Sequence, residues 1–533
     1  CDSAAAAVAS TLTWGHAGCA SLSSVLKREQ YGKPPLTLDP TLYPRESLPR
    51  GPELFASQLV NFAQYFDWQW GRSVAGREPV FGGARPLITL VVLLLGFLGL
   101  VGVWRRDRAA GLLLASLFLT LSLGLVVYLN FKYGFSLENA RFPDWDMHEV
   151  RERDYFFLLG FSLWGVLAGI GLAAAWLKAS AAAAGWLGAP GKAAGDVAWK
   201  PTPARLARLA TAALFALALV PTALNWRWAS RSQDWTARDW AYNVLMSVRP
   251  YGVLVTNGDN DSFPLWYAQN VEGIRTDVTV VLVPYLETPW YVKQLRDLTR
   301  PCPTGVESDR SPTRIVCQRP FHPEQLPPAL AGAGMTTPAR PPEDSIVPLS
   351  DAEIDRIAAS AFIAPRALEF HAGALLGTIA AGTRLLPSDT FVATIVRSSI
   401  GERPIHFMTP SPVVARLGLE RYTVRQGLTW KLSDVASAAA RGHRIVVVPP
   451  AAGATLGAYV DVTLSDTLAD DVWLRRGRVA DARAPWTDSA NASIPLNYAT
   501  ALLALAQAHA QLGDNALAST RQAQAREWIR LVE

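Results

Sequence analysis

Four stretches between residues 86 and 224 limit what this chain can fold into more than anything else in it. At 86–104, 109–129, 155–177 and 206–224 the residues are almost all apolar. A helix rises about 1.5 Å per residue and the hydrocarbon core of a bilayer is about 30 Å thick, so about 20 apolar residues cross it. The first three stretches meet that length outright. The fourth is broken by Pro221 and spans only if Arg208 snorkels at one end and Trp226 and Trp228 sit at the interface on the other.

Charge sets the expected orientation. Only Arg105, Arg106, Asp107 and Arg108 separate the first two spans, which makes a tight hairpin with a basic tip, and the positive-inside rule puts that tip in the cytoplasm. Residues 178–208 carry Lys178, Lys192, Lys200, Arg205 and Arg208 and fit the same side, leaving 130–154 and everything after Leu224 outside. Ahead of the spans, 52–70 sets Leu54, Phe55, Leu59, Val60, Phe62, Phe66 and Trp70 at near-helical spacing among Gln, Asn and Asp. That pattern predicts an amphipathic helix on the outer membrane face or packed on a soluble domain. No leader with a basic and then an apolar region opens the chain, so it is read as part of a longer membrane protein, with a lipid-modified Cys1 as the alternative.

A chain of 533 residues exceeds the roughly 250–300 residues one core can serve. Divisions are expected at 1–84, 85–224, 225–485 and 486–533. The net charge of +5 is not gathered into a basic, aromatic-interleaved run, so nucleic acid is not an expected partner.

The connection between the second and third spans sets many charges directly against a membrane helix. Ionisable groups there are costly unless they pair or serve a ligand. His148, Glu149, Arg151, Glu152, Arg153 and Asp154 are therefore candidate substrate-binding residues. Arg151 and Arg153 suit an anionic phosphate, and the acidic groups suit a hydroxyl or a divalent cation. The same residues also suit an internal ion-pair network that anchors the helix end, with Tyr155 in the aromatic belt.

After Leu224 the pattern changes to short apolar strands at 252–256 and 278–283 alternating with helices at 263–271 and 289–298, with further strands at 404–408 and 444–448. Strand–helix–strand order predicts an α/β domain with a parallel sheet, whose ligands would collect at the carboxyl ends of the strands. Asp259 and Asp261, in the turn after the first strand, are candidate ligands for a cation or sugar hydroxyls, and Trp266 is a candidate platform for a sugar ring. The local alternative is a tight Asn-Gly turn, a helix cap by Asp261 or Ser262, and Pro264 in the first helical turn. Neither a Gly-x-Gly-x-x-Gly nor a phosphate loop is present, so no dinucleotide or nucleoside triphosphate is indicated. Cys302 and Cys317 bracket a Pro-rich stretch; in an oxidising compartment they can pair, closing a loop of about 15 residues for about 3 kcal/mol, and otherwise they are free thiols. Residues 301–348 read as irregular. Residues 496–512 and 515–529 read as one tetratricopeptide-like helical hairpin, which must pack on the α/β domain or continue into further repeats.

Three blocks, HEVRERDYFF (148–157), LVTNGDNDSFPLWYAQNVEGIRTDV (254–278) and REQYGKPPL (28–36), resemble a family of polytopic bacterial membrane proteins of unknown function described as protein O-mannosyltransferase-like. The resemblance implies a glycosyltransferase of the inner membrane, with a polyprenyl-phosphate-linked sugar as donor and an extracytoplasmic protein or glycan as acceptor. It also implies a catalytic carboxylate in a first outer loop that this chain does not carry, so no catalytic residue is transferred. The alternative is a non-enzymatic, membrane-anchored α/β and helical-repeat module that binds protein or glycan in the cell envelope.

Overall fold

The computed structural model describes residues 35–43, 45–74, 82–137, 140–186, 203–232, 234–302, 315, 317–336, 338, 340–409, 412–434, 444–448, 458–477, 491 and 493–532. Tyr31–Arg231 form one compact unit, and Ser232–Glu533 belong to a second.

In the first unit, helix α1 (Pro52–Gly71) is followed by α2 (Arg85–Arg106), α3 (Arg108–Leu129), α4 (Asp154–Trp186) and α5 (Arg205–Trp226). The last four are long and apolar enough to cross a membrane. Their outward faces carry Leu87, Leu94, Leu113 and Val166 at 60% exposure or more, an apolar surface that water does not tolerate over this extent and lipid does. The α2–α3 turn is as tight as its four charged residues require: Asp107 ends α2 and its carboxylate accepts the N–H groups of Ala109 and Ala110 at the start of α3. α4 is 33 residues long and outruns its predicted end at 177. In α5 the expected break at Pro221 is absorbed: a 3-10 segment, Ala212–Leu219, hands over to a new α-helical segment with Pro221 in its first turn, where a missing N–H costs nothing.

α2 and α4 pack most closely. A Cβ on Gly99 would collide with the Leu167 carbonyl, and one on Gly171 with that of Leu95. Glycine here serves backbone approach, the usual currency of helix association in lipid. The core beside this contact is aromatic, with Phe66, Phe161 and Trp164 meeting edge to face. Helix α1 differs from expectation. Its polar stripe of Gln58, Asn61, Gln64 and Asp67 is buried while Leu59 and Val60 are exposed, because the unit supplies partners for those polar groups. Gln64 donates to Ser136 at 3.1 Å, and Asp67 pairs with Arg85 at the start of α2.

The second unit is built on a seven-stranded sheet of order β10-β11-β8-β9-β7-β1-β2. Its strands are β1 (Val253–Thr256), β2 (Thr279–Leu282), β7 (Ile405–Phe407), β8 (Thr423–Gln426), β9 (Thr429–Leu432), β10 (Ile445–Val448) and β11 (Ala458–Asp461). Two small ribbons, β3 (Phe362–Ile363) with β6 (Arg384–Leu385) and β4 (Leu368–Ala372) with β5 (Leu375–Ile379), lie outside it. β7, β1 and β2 run parallel, with Val255 opposite both Val281 and Phe407. The rest departs from the parallel expectation: β7 pairs with β9, β8 with β9 and β10 with β11 antiparallel, and only β11–β8 is parallel again. Alternate residues of β1 feed the two faces, Leu254 one core and Val253 and Val255 the other.

The helices of this unit that matter below are α6 (Thr236–Ser247), α7 (Asp259–Asn270), α8 (Pro289–Leu298), α9 (Asp351–Ala358), α10 (Pro387–Ser399), α11 (Val462–Thr467), α12 (Ile494–Gln511) and α13 (Asn515–Arg530). The last two form a hairpin around Gly513, whose φ of +77° suits glycine. The hairpin is not a separate unit: Leu502, Ala525 and Trp528 join the same core as Leu254 and Leu265, and Tyr498, stacked on Trp528, accepts a hydrogen bond from Asn243 of α6 at 2.7 Å.

Candidate functional site

The charged loop of the membrane unit folds on itself and on α1. Tyr133 bridges to His148, and each ring nitrogen of His148 faces a backbone carbonyl oxygen, Nδ1 that of Gly134 at 2.9 Å and Nε2 that of Phe142 at 2.7 Å. Glu149 accepts the Lys132 N–H at 3.1 Å and holds the Arg153 guanidinium at 2.8 Å. Arg153 also donates from Nη1 to the Tyr155 hydroxyl at 3.0 Å, while its backbone N–H reaches the Tyr65 hydroxyl at 2.9 Å. Tyr65 in turn donates to Glu152 at 2.9 Å. Burial raises the Glu152 carboxyl above the ordinary range, and hydrogen bonds from Ser136 and Tyr65 oppose that rise. Arg151 lies 5.7 Å from the centre of the Tyr155 ring, and Asp154 opens α4. Of the six candidates, the structure thus joins Glu149, Glu152 and Arg153 in one network that ties the loop to α1.

The turn after β1 is organised for a helix start. Helix α7 begins at Asp259, four residues before the expected 263, because the Asp261 carboxylate accepts the N–H groups of Asn257 and Gly258, both at 2.8 Å. Burial pushes that carboxyl up and those two donors pull it back. Each of its oxygens accepts one of those N–H groups, and among the described residues no three His, Cys, Asp or Glu side chains converge on a metal position. Trp266 is not an open platform: it packs against both cores, with its ring 5.5 Å from that of Phe263.

A cleft of about 500 Å³ opens instead just past the carboxyl ends of β7, β1 and β2. Asn257 follows β1, Val283 and Glu287 follow β2, and Thr409 follows β7, where parallel strands and the helices after them leave a crevice. Helix α10 closes one side with Ser388 in its first turn, and Arg416 closes another. Asn257 donates to the Thr409 hydroxyl at 2.8 Å, Glu287 accepts the Ser388 N–H at 3.3 Å, and Arg416 pairs with the buried Asp389 at 2.6 Å. Ser388 is only 4% exposed overall and lines the cleft. Two of these positions were within reach of sequence reasoning, since Asn257 and Thr409 directly follow predicted strands. Ser388 and Arg416 lie more than a hundred residues from Asn257, and nothing local marks them.

Cys302 and Cys317 form a disulfide in this unit.

Residues 237–310 match the family described as TMEM260-associated domain 2. The match runs from α6 past α8 and so takes in β1, β2 and one wall of the cleft. No curated protein matches the chain, and no solved structure does.

Proposed function

We propose that the chain is the carboxyl-terminal part of a membrane glycosyltransferase that resembles the protein O-mannosyltransferases and transfers a sugar from a polyprenyl-phosphate donor to an extracytoplasmic protein or glycan. The observation that carries this reading is the charged loop: two guanidinium groups, Arg151 and Arg153, stand at the mouth of a membrane-length helix, the level at which a lipid-borne phosphate lies. In this reading Glu149 and Tyr65 hold Arg153 in position and Arg151, beside Tyr155, meets the phosphate. The Cys302–Cys317 disulfide supports an oxidising, extracytoplasmic side for the α/β unit of an inner-membrane protein. The α/β unit is read as engaging the acceptor, with the terminal hairpin as a tetratricopeptide-like element packed in its core.

The test uses a full-length version of the protein in membranes. Arg151→Ala, alone and with Arg153→Ala, is expected to abolish transfer from a polyprenyl-phosphate sugar while insertion, followed by protease protection on vesicles, is unchanged. Transfer at the parental rate by the double variant refutes the role of the loop. A second reading, a non-enzymatic membrane-anchored binding module, draws support from the internal pairing of Arg153 with Glu149. It predicts no transfer of any lipid-linked sugar even by the full-length protein.

A further inference from the structure

The cleft at the carboxyl ends of β7, β1 and β2 has a chemistry that narrows its occupant. Its volume of about 500 Å³ lies within the roughly 300–1,000 Å³ of small-molecule sites. Its polar groups are mixed in kind. Glu287 accepts, the Ser388 and Thr409 hydroxyls donate and accept, the Asn257 amide oxygen accepts while its nitrogen is committed to Thr409, and Arg416 donates. Val283 and Val413 lay an apolar strip among them.

Charge excludes the simpler alternatives. Among the described residues that line it the one cation, Arg416, pairs through Nη2 with Asp389, and Glu287 sits on the first turn of α10, so an anion drawn by that helix end meets a carboxylate there first. What remains is a neutral molecule with several hydroxyls on one side and C–H groups on the other.

The place of the cleft is the independent support for binding: β1 has β2 on one side and β7 on the other, so the crevice past Asn257 and Thr409 lies where the direction of strand addition reverses, and open α/β sheets take ligands there.

We propose that this cleft is a saccharide site: the ring hydroxyls of a neutral sugar bond to Glu287, Ser388, Thr409 and Asn257, and its C–H face lies on Val283 and Val413. This deepens the glycosyltransferase reading by giving the α/β unit the sugar portion of donor or acceptor, and it stands equally on the anchored-binder reading.

Saturation-transfer-difference NMR tests it on the whole chain in a detergent without a sugar headgroup, with the methyl α-pyranosides of mannose, glucose and galactose as probes. At least one is expected to give signals at its ring C–H protons. Ser388→Ala and Glu287→Gln should each weaken that binding about tenfold, the loss of one hydrogen bond of about 1.4 kcal/mol. Ser388→Ala should melt as the parent does, so weaker binding cannot be blamed on unfolding. Absence of signal from all three glycosides, signals that both substitutions leave unchanged, or displacement of the sugar by inorganic phosphate or an acidic peptide would each overturn the assignment. The Arg151→Ala, Arg153→Ala variant keeps the sugar signal, so failure of the transfer reading and failure of the cleft are told apart.

Discussion

Arg85 and Asp67 meet at the first turn of α2, both fully buried, with Asp67 also accepting the Thr89 hydroxyl at 2.6 Å. Two charges out of water hold each other, so removing one is far worse than removing both. Asp67→Leu is expected to destabilise the membrane unit by about 3–5 kcal/mol, and Asp67→Leu with Arg85→Met should recover most of it. A double-mutant cycle from unfolding in mixed micelles measures the difference. His406 gives a second case, on β7. Burial first, then the positive charges of Lys431, Arg249 and Arg275, hold its imidazole well below the ordinary value, so it stays neutral in the fold. The unfolded chain takes up a proton near pH 6.5 and the native one resists, so this contribution to stability is complete above about 6.5 and is lost as the pH falls below it. Denaturation midpoints between pH 8 and 5 should decline, and His406→Gln should flatten that decline. None of these three residues was legible in the sequence as what it is, because burial of a charged or titratable group depends on neighbours from other elements. Asp261 was more legible, since its cap is made by residues within four positions of it.

The spans were readable for a reason that does not carry over to the sheet. Hydrocarbon sets a length and forbids charge along it, so a single stretch of sequence contains the whole signal. Strands β8, β9 and β11 carry no such signature: β8 reads Thr-Val-Arg-Gln, and its Gln426 is buried only because Asp461 at the end of β11 accepts its amide at 2.9 Å. Helix α1 was readable as a helix but not in its orientation, because the groups that satisfy Gln64 and Asp67 lie outside it. The α2–α4 contact yields its own prediction. Gly99→Val or Gly171→Val places methyl groups against a carbonyl of the facing helix, and the expected loss is about 1–3 kcal/mol, seen as lower thermal stability in detergent. Gly102, with open space around it, is the control that should tolerate the same change.

For the molecule as a whole, the disulfide between Cys302 and Cys317 closes a loop with a sequence separation of 15, so Cys302→Ser with Cys317→Ser should cost about 3 kcal/mol of the α/β unit's stability. A membrane-impermeant reductant added to intact cells should reach the bond if that unit lies outside. The order of the sheet has a consequence for how this unit is made. β1 sits between β2, which follows it closely, and β7, which is about 150 residues further on, and β7 is in turn flanked by β9. A nascent chain stopped after α8 therefore holds two adjacent strands with the β1 edge bare, and it must wait for more than a hundred further residues before β7 can cover that edge. Such long-range closure is slow and leaves an adhesive intermediate. Overproduction should accordingly lose this half of the protein to aggregation before it loses the membrane half, and slowing synthesis or lowering temperature should recover it.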